Sequence, residues 1–309
     1  MSEITASAVK ELRERTGAGM MDCKKALSET KSDMEAAIDW LRTKGLAAAA
    51  KKAGRTAAEG LVGVMTAGST GAILEVNAET DFVARNDKFQ NYIEKVLPIA
   101  LKHGDNLATL AAAPYPDTGR NVADELSHLI AVIGENMALR RSKVLKVNQG
   151  VVAAYTHNAI QPGMGRTGVL VALESAGDPA RLETLGKQIA MHVAAAAPQA
   201  ASADELDPEV IERERKIFSE QARASGKKEE FIEKMIEGRL RKFCEEVVLL
   251  EQIYLIDDSK RRVFQVIDDA AKEIGSAIKF GGFTLFKLGE GIEREVKDFA
   301  AEVAEQLGK

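Results

Sequence analysis

The sequence predicts an α+β protein. It has a small N-terminal helical domain, a core of two related halves in which small antiparallel sheets are covered by helices, an inserted antiparallel helical hairpin and a helical C-terminal module. Three observations predict this. Apolar residues recur at helical spacing through residue 54 and then switch to strand-like runs from Gly60. Gly71-Ala72-Ile73-Leu74 returns as Gly168-Val169-Leu170-Val171, 97 positions on, a period too long for a solenoid. Dense charge then separates the second half's helix from its last strand, over about 207–245.

Each element has its own signal. Thr5 caps a helix through Arg15, with Val9 and Leu12 on one face, and the run Arg15-Thr16-Gly17-Ala18-Gly19 breaks it, because glycine there tolerates positive φ and closes a helix end. A second helix spans Met21 to Leu27. Asp33 caps a third that carries Met34, Ala37, Ile38 and Leu41 at helical spacing, with Gly45 as its stop, and Ala47 to Ala58 is helix followed by a connector. Leu61 to Met65 and Ala72 to Val76 are strands joined by a turn at Ala67 to Gly71. Phe89 to Leu101 is a helix striped by Tyr92, Ile93, Val96 and Leu97, bent at Pro98. Val122 to Ile133 is another, ended by Gly134.

The order then repeats. Val151 to Tyr155 is a strand, Gln161-Pro162-Gly163 opens a loop that ends at Gly168, Val169 to Leu173 is the next strand, and Leu182 to Ala195 is a helix. Phe283 to Phe286 gives a third, partial echo before a helix at 295–307. In the charged insertion, one helix runs from Asp207 to Arg223, Ser225-Gly226 breaks it, and a second runs from Glu229 to Leu240. Ile211, Phe218, Phe231, Met235 and Leu240 form a narrow apolar stripe suited to an antiparallel hairpin. Such a hairpin would reach roughly 22 Å at 1.5 Å per residue, either projecting from the body or lying flat on the sheet.

Composition bounds the function. The 309 residues make about two core-sized units. A formal charge of -5 argues against a general phosphate-backbone binder, so no direct nucleic-acid partner is expected. No apolar run reaches the ~18–20 residues of a membrane span, and the start Met1-Ser2-Glu3 has no secretory pattern. Two cysteines support neither a disulfide framework nor a four-ligand zinc site, so a reducing, cytoplasmic protein is expected. Gly163-Met164-Gly165-Arg166-Thr167-Gly168 matches GxGxxG as a string, but it opens a strand, whereas a phosphate cradle must open a helix. His103, His128, His157 and His192 show no metal spacing, and Cys23 reads as a small buried hydrophobe. No catalytic constellation, cofactor or metal is expected.

Two features exceed plain structure. Thr80-Asp81-Phe82-Val83 follows a strand directly. Asp81 as a helix cap with Phe82 in the core is one reading. The other is a presented wedge, an aromatic ring entering a partner's pocket with a carboxylate beside it. Met20-Met21 follows a glycine turn; flexible thioethers suit an adaptable contact, while core packing takes up at least one of them on the alternative reading.

The motifs resemble a family. Residues Arg13 to Leu27 (RERTGAGMMDCKKAL) resemble the N-terminal signature of bacterial elongation factor Ts. Glu75 to Ala84 (EVNAETDFVA), Ile133-Gly134-Glu135-Asn136 with Arg140-Arg141, Ile189 to Ala195, Glu233 to Arg239 and Leu288 to Glu293 continue the likeness in family order. The resemblance implies a guanine nucleotide exchange factor for elongation factor Tu, in its GDP-bound and nucleotide-free forms, without covalent chemistry. It implies a ubiquitin-associated-like domain over 1–54 that docks on the GTPase domain, and a first core subdomain over 55–147. A second subdomain over 148–285 carries a protruding hairpin, followed by a C-terminal module over 286–309.

By the same resemblance, Thr80, Asp81, Phe82 and Val83 disturb the partner's magnesium site, Phe82 by insertion. Arg13, Met20, Met21, Thr167, Gly168 and His192 contact the partner. Some relatives assemble as a homodimer within a heterotetramer. Thr167 stands where relatives often have isoleucine. The rival on the same surface is a chaperone that stabilises the GTPase without exchange.

Overall fold

The computed structural model describes residues 4–224 and 229–293. The fold is α+β. The described residues fall into two compact units: 4–63, 74–142 and 287–293 in the first, and 64–73, 143–224 and 229–286 in the second. The expected break at Ser225-Gly226 and helix at 295–307 lie outside the described residues.

The first unit opens with three helices, α1 (Ala6–Thr16), α2 (Met20–Glu29) and α3 (Met34–Lys52). Thr5 accepts from the Ala8 amide and Asp33 from the Ala36 amide, satisfying donors that a helix start leaves open. Gly17 closes α1 at φ 66° and donates to Arg13 O. Leu12, Cys23, Ala26, Leu27 and Ala37 make the small core, with Val9, Ile38 and Leu41 packed on it. Gly45 does not stop α3. The alanine run that follows has high helix propensity and carries the helix on. Glycine serves there as a spacer, since a Cβ would come 3.3 Å from the Ala131 side chain.

Strands β1 (Glu59–Ala67) and β2 (Thr70–Ala78) form the first hairpin. Helix α4 (Asp87–His103) buries Phe89, Tyr92, Ile93, Val96 and Leu97. After α5 (Leu107–Ala112), α6 (Val122–Ile133) ends at Gly134, φ 93°. Strand β3 (Met137–Lys146) has no counterpart among the expected elements. Its half-exposed, arginine-rich run shows no clean alternation.

In the second unit, β4 (Gly150–Gln161) and β5 (Met164–Glu174) pair antiparallel through a tight Pro162-Gly163 turn. The expected loop to Gly168 is therefore strand: Thr167 faces His157 and Gly168 faces Thr156 across the ladder. Helix α7 (Pro179–Ala196) lays Leu182, Leu185, Ile189 and Val193 on Val169, Val171 and Leu173, the alternate residues of β5. Helix α10 (Val263–Ile274), also not expected, adds Val263, Val266 and Ile267 to this core.

Between them, α8 (Pro208–Ala224) and α9 (Glu229–Val247) form the antiparallel pair. Ala222, Ile232 and Ile236 are buried between them with Phe218 and Leu240 packed alongside, so isoleucines take the place given to Met235. The Phe231 side chain lies outside the described residues. Strand β6 (Lys279–Lys287) pairs with β5. Sheet neighbours run β3-β2-β1-β5-β4. Within this unit Val64 donates to Gly163 O at 2.8 Å and Val152 to Gly68 O at 2.9 Å. The two small sheets expected from the repeat are thus one six-stranded sheet.

Candidate functional site: an aromatic turn held from behind

Strand β2 ends at Ala78, and after four intervening residues a 3₁₀ turn over Val83–Arg85 leads into α4. The connection is anchored at both ends. Thr80 donates its hydroxyl to Glu135 Oε1 at 2.7 Å and its amide to Glu135 Oε2 at 2.9 Å. Glu79 Oε1 accepts the Asn136 amide at 2.5 Å, and Asn136 Nδ2 reaches Arg55 O at 2.7 Å. On the far side Val83 and Ala84 are buried, and Gln90 Nε2 donates to Ala84 O at 2.8 Å. Asp81 and Phe82 are left between the anchors, on the outside.

Phe82 is 80% exposed, the most exposed of the large apolar side chains described. The reading with Phe82 in the core and Asp81 as cap is therefore overturned. Asn86 caps α4 instead, accepting from the Lys88 and Phe89 amides. A monomeric surface does not gain by exposing a phenylalanine, so its position is a property of the anchors. Met20 and Met21 are 60% and 76% exposed, so neither is core. Both sit at the start of α2, just past the Gly17 cap, and Arg13 is also exposed.

Thr167, Gly168 and His192 belong to the second unit. Thr167 is half-buried on β5 and Gly168 is buried. His192 is fully buried. Its Nδ1 accepts the Leu255 amide at 3.2 Å, which puts the ring proton on Nε2, 2.9 Å from Gln252 Oε1. Tyr254 stacks on the ring with centroids 5.9 Å apart. His192 thus organises residues 252–255 from beneath, where Ile253 and Leu255 are each 57% exposed.

Burial lowers the His192 pKa below its ordinary 6.5, because desolvation of the charged ring outweighs the Gln252 bond, which favours it. The unfolded chain then takes up a proton below pH 6.5 that the native ring refuses. Stability is complete above that value and falls as the pH drops toward the folded pKa. Thermal melts between pH 7.5 and 5 are expected to show this loss, and His192→Asn to shrink its slope. His128, also lowered by burial, contributes to the same slope and should account for what remains.

A cavity of about 280 Å³ in the first unit is lined by α3, α6 and residues 118–120. The cations on its wall are engaged with carboxylates: Arg42 with Asp124 at 3.3 Å, Arg120 with Glu125 at 2.6 Å, and Lys44 with Asp22. It offers no concentrated charge to an anion. Among the described residues no group of three or more His, Cys, Asp or Glu could hold a metal ion, and no helix is long and apolar enough to cross a membrane. Glu135, Asn136 and Arg55 carried no role in the sequence reading. The signals they carry in the sequence are the Ile133-Gly134-Glu135-Asn136 block of the family resemblance and a glutamate immediately after a helix-ending glycine.

Fold and site together define an α+β protein that displays a clamped aromatic–carboxylate turn on its surface. A family model described as elongation factor TS matches residues 79–290. The chain is 62% identical over 310 residues to elongation factor Ts of Rhodospirillum rubrum, with 100% of both chains covered. It is 59% identical over 308 residues to that of Rhodospirillum centenum, again covering 100% of both. To that of Gluconobacter oxydans it is 60% identical over 308 residues, covering 100% of this chain and 99% of the relative. The chain belongs to the elongation factor Ts family, and so to the factors of translation elongation.

Proposed function

We propose that the chain is a guanine nucleotide exchange factor that binds elongation factor Tu and promotes release of GDP so that GTP can enter. One observation carries this reading. In a chain of this family, the residue that the resemblance marks as an inserting ring stands 80% exposed between the anchored Thr80 and the buried Val83. Residues 1–54 dock on the partner's GTPase domain through Arg13, Met20 and Met21. The turn Thr80 to Val83, on the first core subdomain (55–147), reaches its magnesium site. Thr167, Gly168 and His192 act from the second subdomain (148–285), where the α8–α9 pair is the protruding hairpin; 286–309 is the C-terminal module. Because the His192 ring is buried, it contributes by holding residues 252–255.

The mechanism is linkage. GDP and its cation are held in a GTPase by charge-assisted contacts to phosphate. A factor that binds the nucleotide-free partner better than the loaded one must weaken nucleotide binding by the same ratio. Phe82 supplies the difference as an apolar wedge among the groups that support the cation, with the Asp81 carboxylate beside it. No covalent bond changes. Release of labelled GDP from elongation factor Tu across a magnesium titration tests this. The factor should accelerate release strongly when magnesium is abundant and little once it has been removed. Equal acceleration at both extremes would overturn magnesium displacement, and no acceleration at all would leave a stabiliser that does not exchange.

A further inference from the structure

We propose that Glu135 is the positioning residue of this turn: its carboxylate, reaching from the end of α6, fixes Thr80 and thereby sets where Phe82 enters the partner. The inference rests on the exchange reading. Its ground is the geometry of the contact, which joins positions 55 apart in sequence.

A threonine at a strand end has several local ways to satisfy one hydroxyl and one amide. Here both go to the two oxygens of a single carboxylate, at 2.7 and 2.9 Å. Two donors on two acceptors fix rotation as well as distance. Gly134, at φ 93°, turns the chain out of α6 so that the next side chain points back at Thr80. Asn136 completes the clamp, its amide on Glu79 and its carboxamide on Arg55 O. Asp81 is the first residue beyond this clamp and Phe82 the second. A wedge works only at its correct place, and a shift of about 1 Å in a positioned group can cost on the order of a hundredfold in rate.

The carboxylate is used as a pair of acceptors, so its charge is not essential. A glutamine can accept the Thr80 amide through Oε1 and donate Nε2 to the Thr80 hydroxyl, which accepts as readily as it donates. The experiment is stopped-flow release of labelled GDP from elongation factor Tu as a function of factor concentration. It compares the full-length chain with Glu135→Ala, Glu135→Gln, Thr80→Val and Phe82→Ala, each checked by thermal melting.

Glu135→Ala is expected to lower the maximal stimulated rate about tenfold or more while half-saturation moves less than about twofold. Glu135→Gln should stay within about twofold of wild type, since both bonds persist. Thr80→Val, which keeps the amide bond and loses the hydroxyl, should fall between them. A wild-type maximal rate for Glu135→Ala beside a slow Phe82→Ala overturns the inference and spares the exchange reading. A loss confined to half-saturation also overturns it, because Glu135 would then serve binding alone. Should Glu135→Ala fail to fold, Thr80→Val carries the test, and a wild-type rate there refutes positioning. A wild-type rate for Phe82→Ala refutes the exchange reading itself.

Discussion

Phe82→Ala is expected to abolish most of the stimulated GDP release while leaving the melting curve where it was. The two halves of that result have separate causes. The ring is 80% exposed and contributes little to the folded chain's own packing, so stability should stay within about 0.5 kcal/mol. On the proposed reading it becomes the opposite case in the complex, an aromatic anchor in a desolvated pocket. Truncating such anchors typically costs 2 kcal/mol or more, about thirtyfold or above in the affected equilibrium. The maximal rate should carry the loss, because the docking proposed for Arg13, Met20 and Met21 would still hold the complex together. Phe82→Leu separates shape from bulk: an aliphatic residue keeps much of the apolar volume but not the flat ring, and should recover part of the rate. A variant that binds and releases GDP like wild type would remove Phe82 from the mechanism.

How much of this was legible in the sequence follows from where each signal resides. Thr5, Gly17, Asp33 and Gly134 announce helix ends because a cap acts within about four residues of itself. The α6 span and the α1 start were read directly from such signals. Gly45 misled because a glycine inside a helix and one that ends it look alike until the partner helix is known; Ala131 decides the matter. Helix α10 has a full helical stripe in Val263, Val266, Ile267, Ala270 and Ile274, so this element was legible and was missed.

The site divides in the same way. Phe82 was visible as unusual, yet its exposure was not, since a large apolar residue after a strand belongs in a core on local grounds. One distant fact and one local one reverse this: Glu135 holds Thr80 from 55 positions away, and Asn86, next to α4 itself, takes the cap. His192 shows the limit of motif transfer. Its position was readable from the family pattern, but its full burial under Leu255 depends on a segment some 60 residues further along.

A second large effect concerns stability. Glu75, on β2, is completely buried and accepts Arg140 Nη1 at 3.1 Å, Arg141 Nε at 2.6 Å, Asn77 Nδ2 at 3.0 Å and the Gly289 amide at 2.8 Å. Arg141 continues the network to Lys287 O at 2.9 Å, so one carboxylate ties residues 287–290 to two strands. Burial alone would raise its pKa, but the Gly289, Asn77 and Arg141 bonds outweigh it and hold the carboxyl below its ordinary 4.5. Its stabilisation is therefore complete above pH 4.5 and lost as the pH falls through the lower, folded value.

Glu75→Ala should cost about 3–5 kcal/mol, because two guanidiniums lose the charge that offset their desolvation. Denaturant unfolding would measure this. Native trypsin digestion would locate it, with faster cleavage after Lys287 than in wild type. Glu75→Gln keeps the shape but turns an amide donor toward one of the arginines, and should be nearly as damaging. Replacing Glu75, Arg140 and Arg141 together by leucine tests the cause. Where desolvated charge is the issue, the apolar triple variant should recover much of the loss. Failure to recover would mean that the bonds to Gly289 and Lys287, and the order they impose on the segment, matter more than the charges themselves.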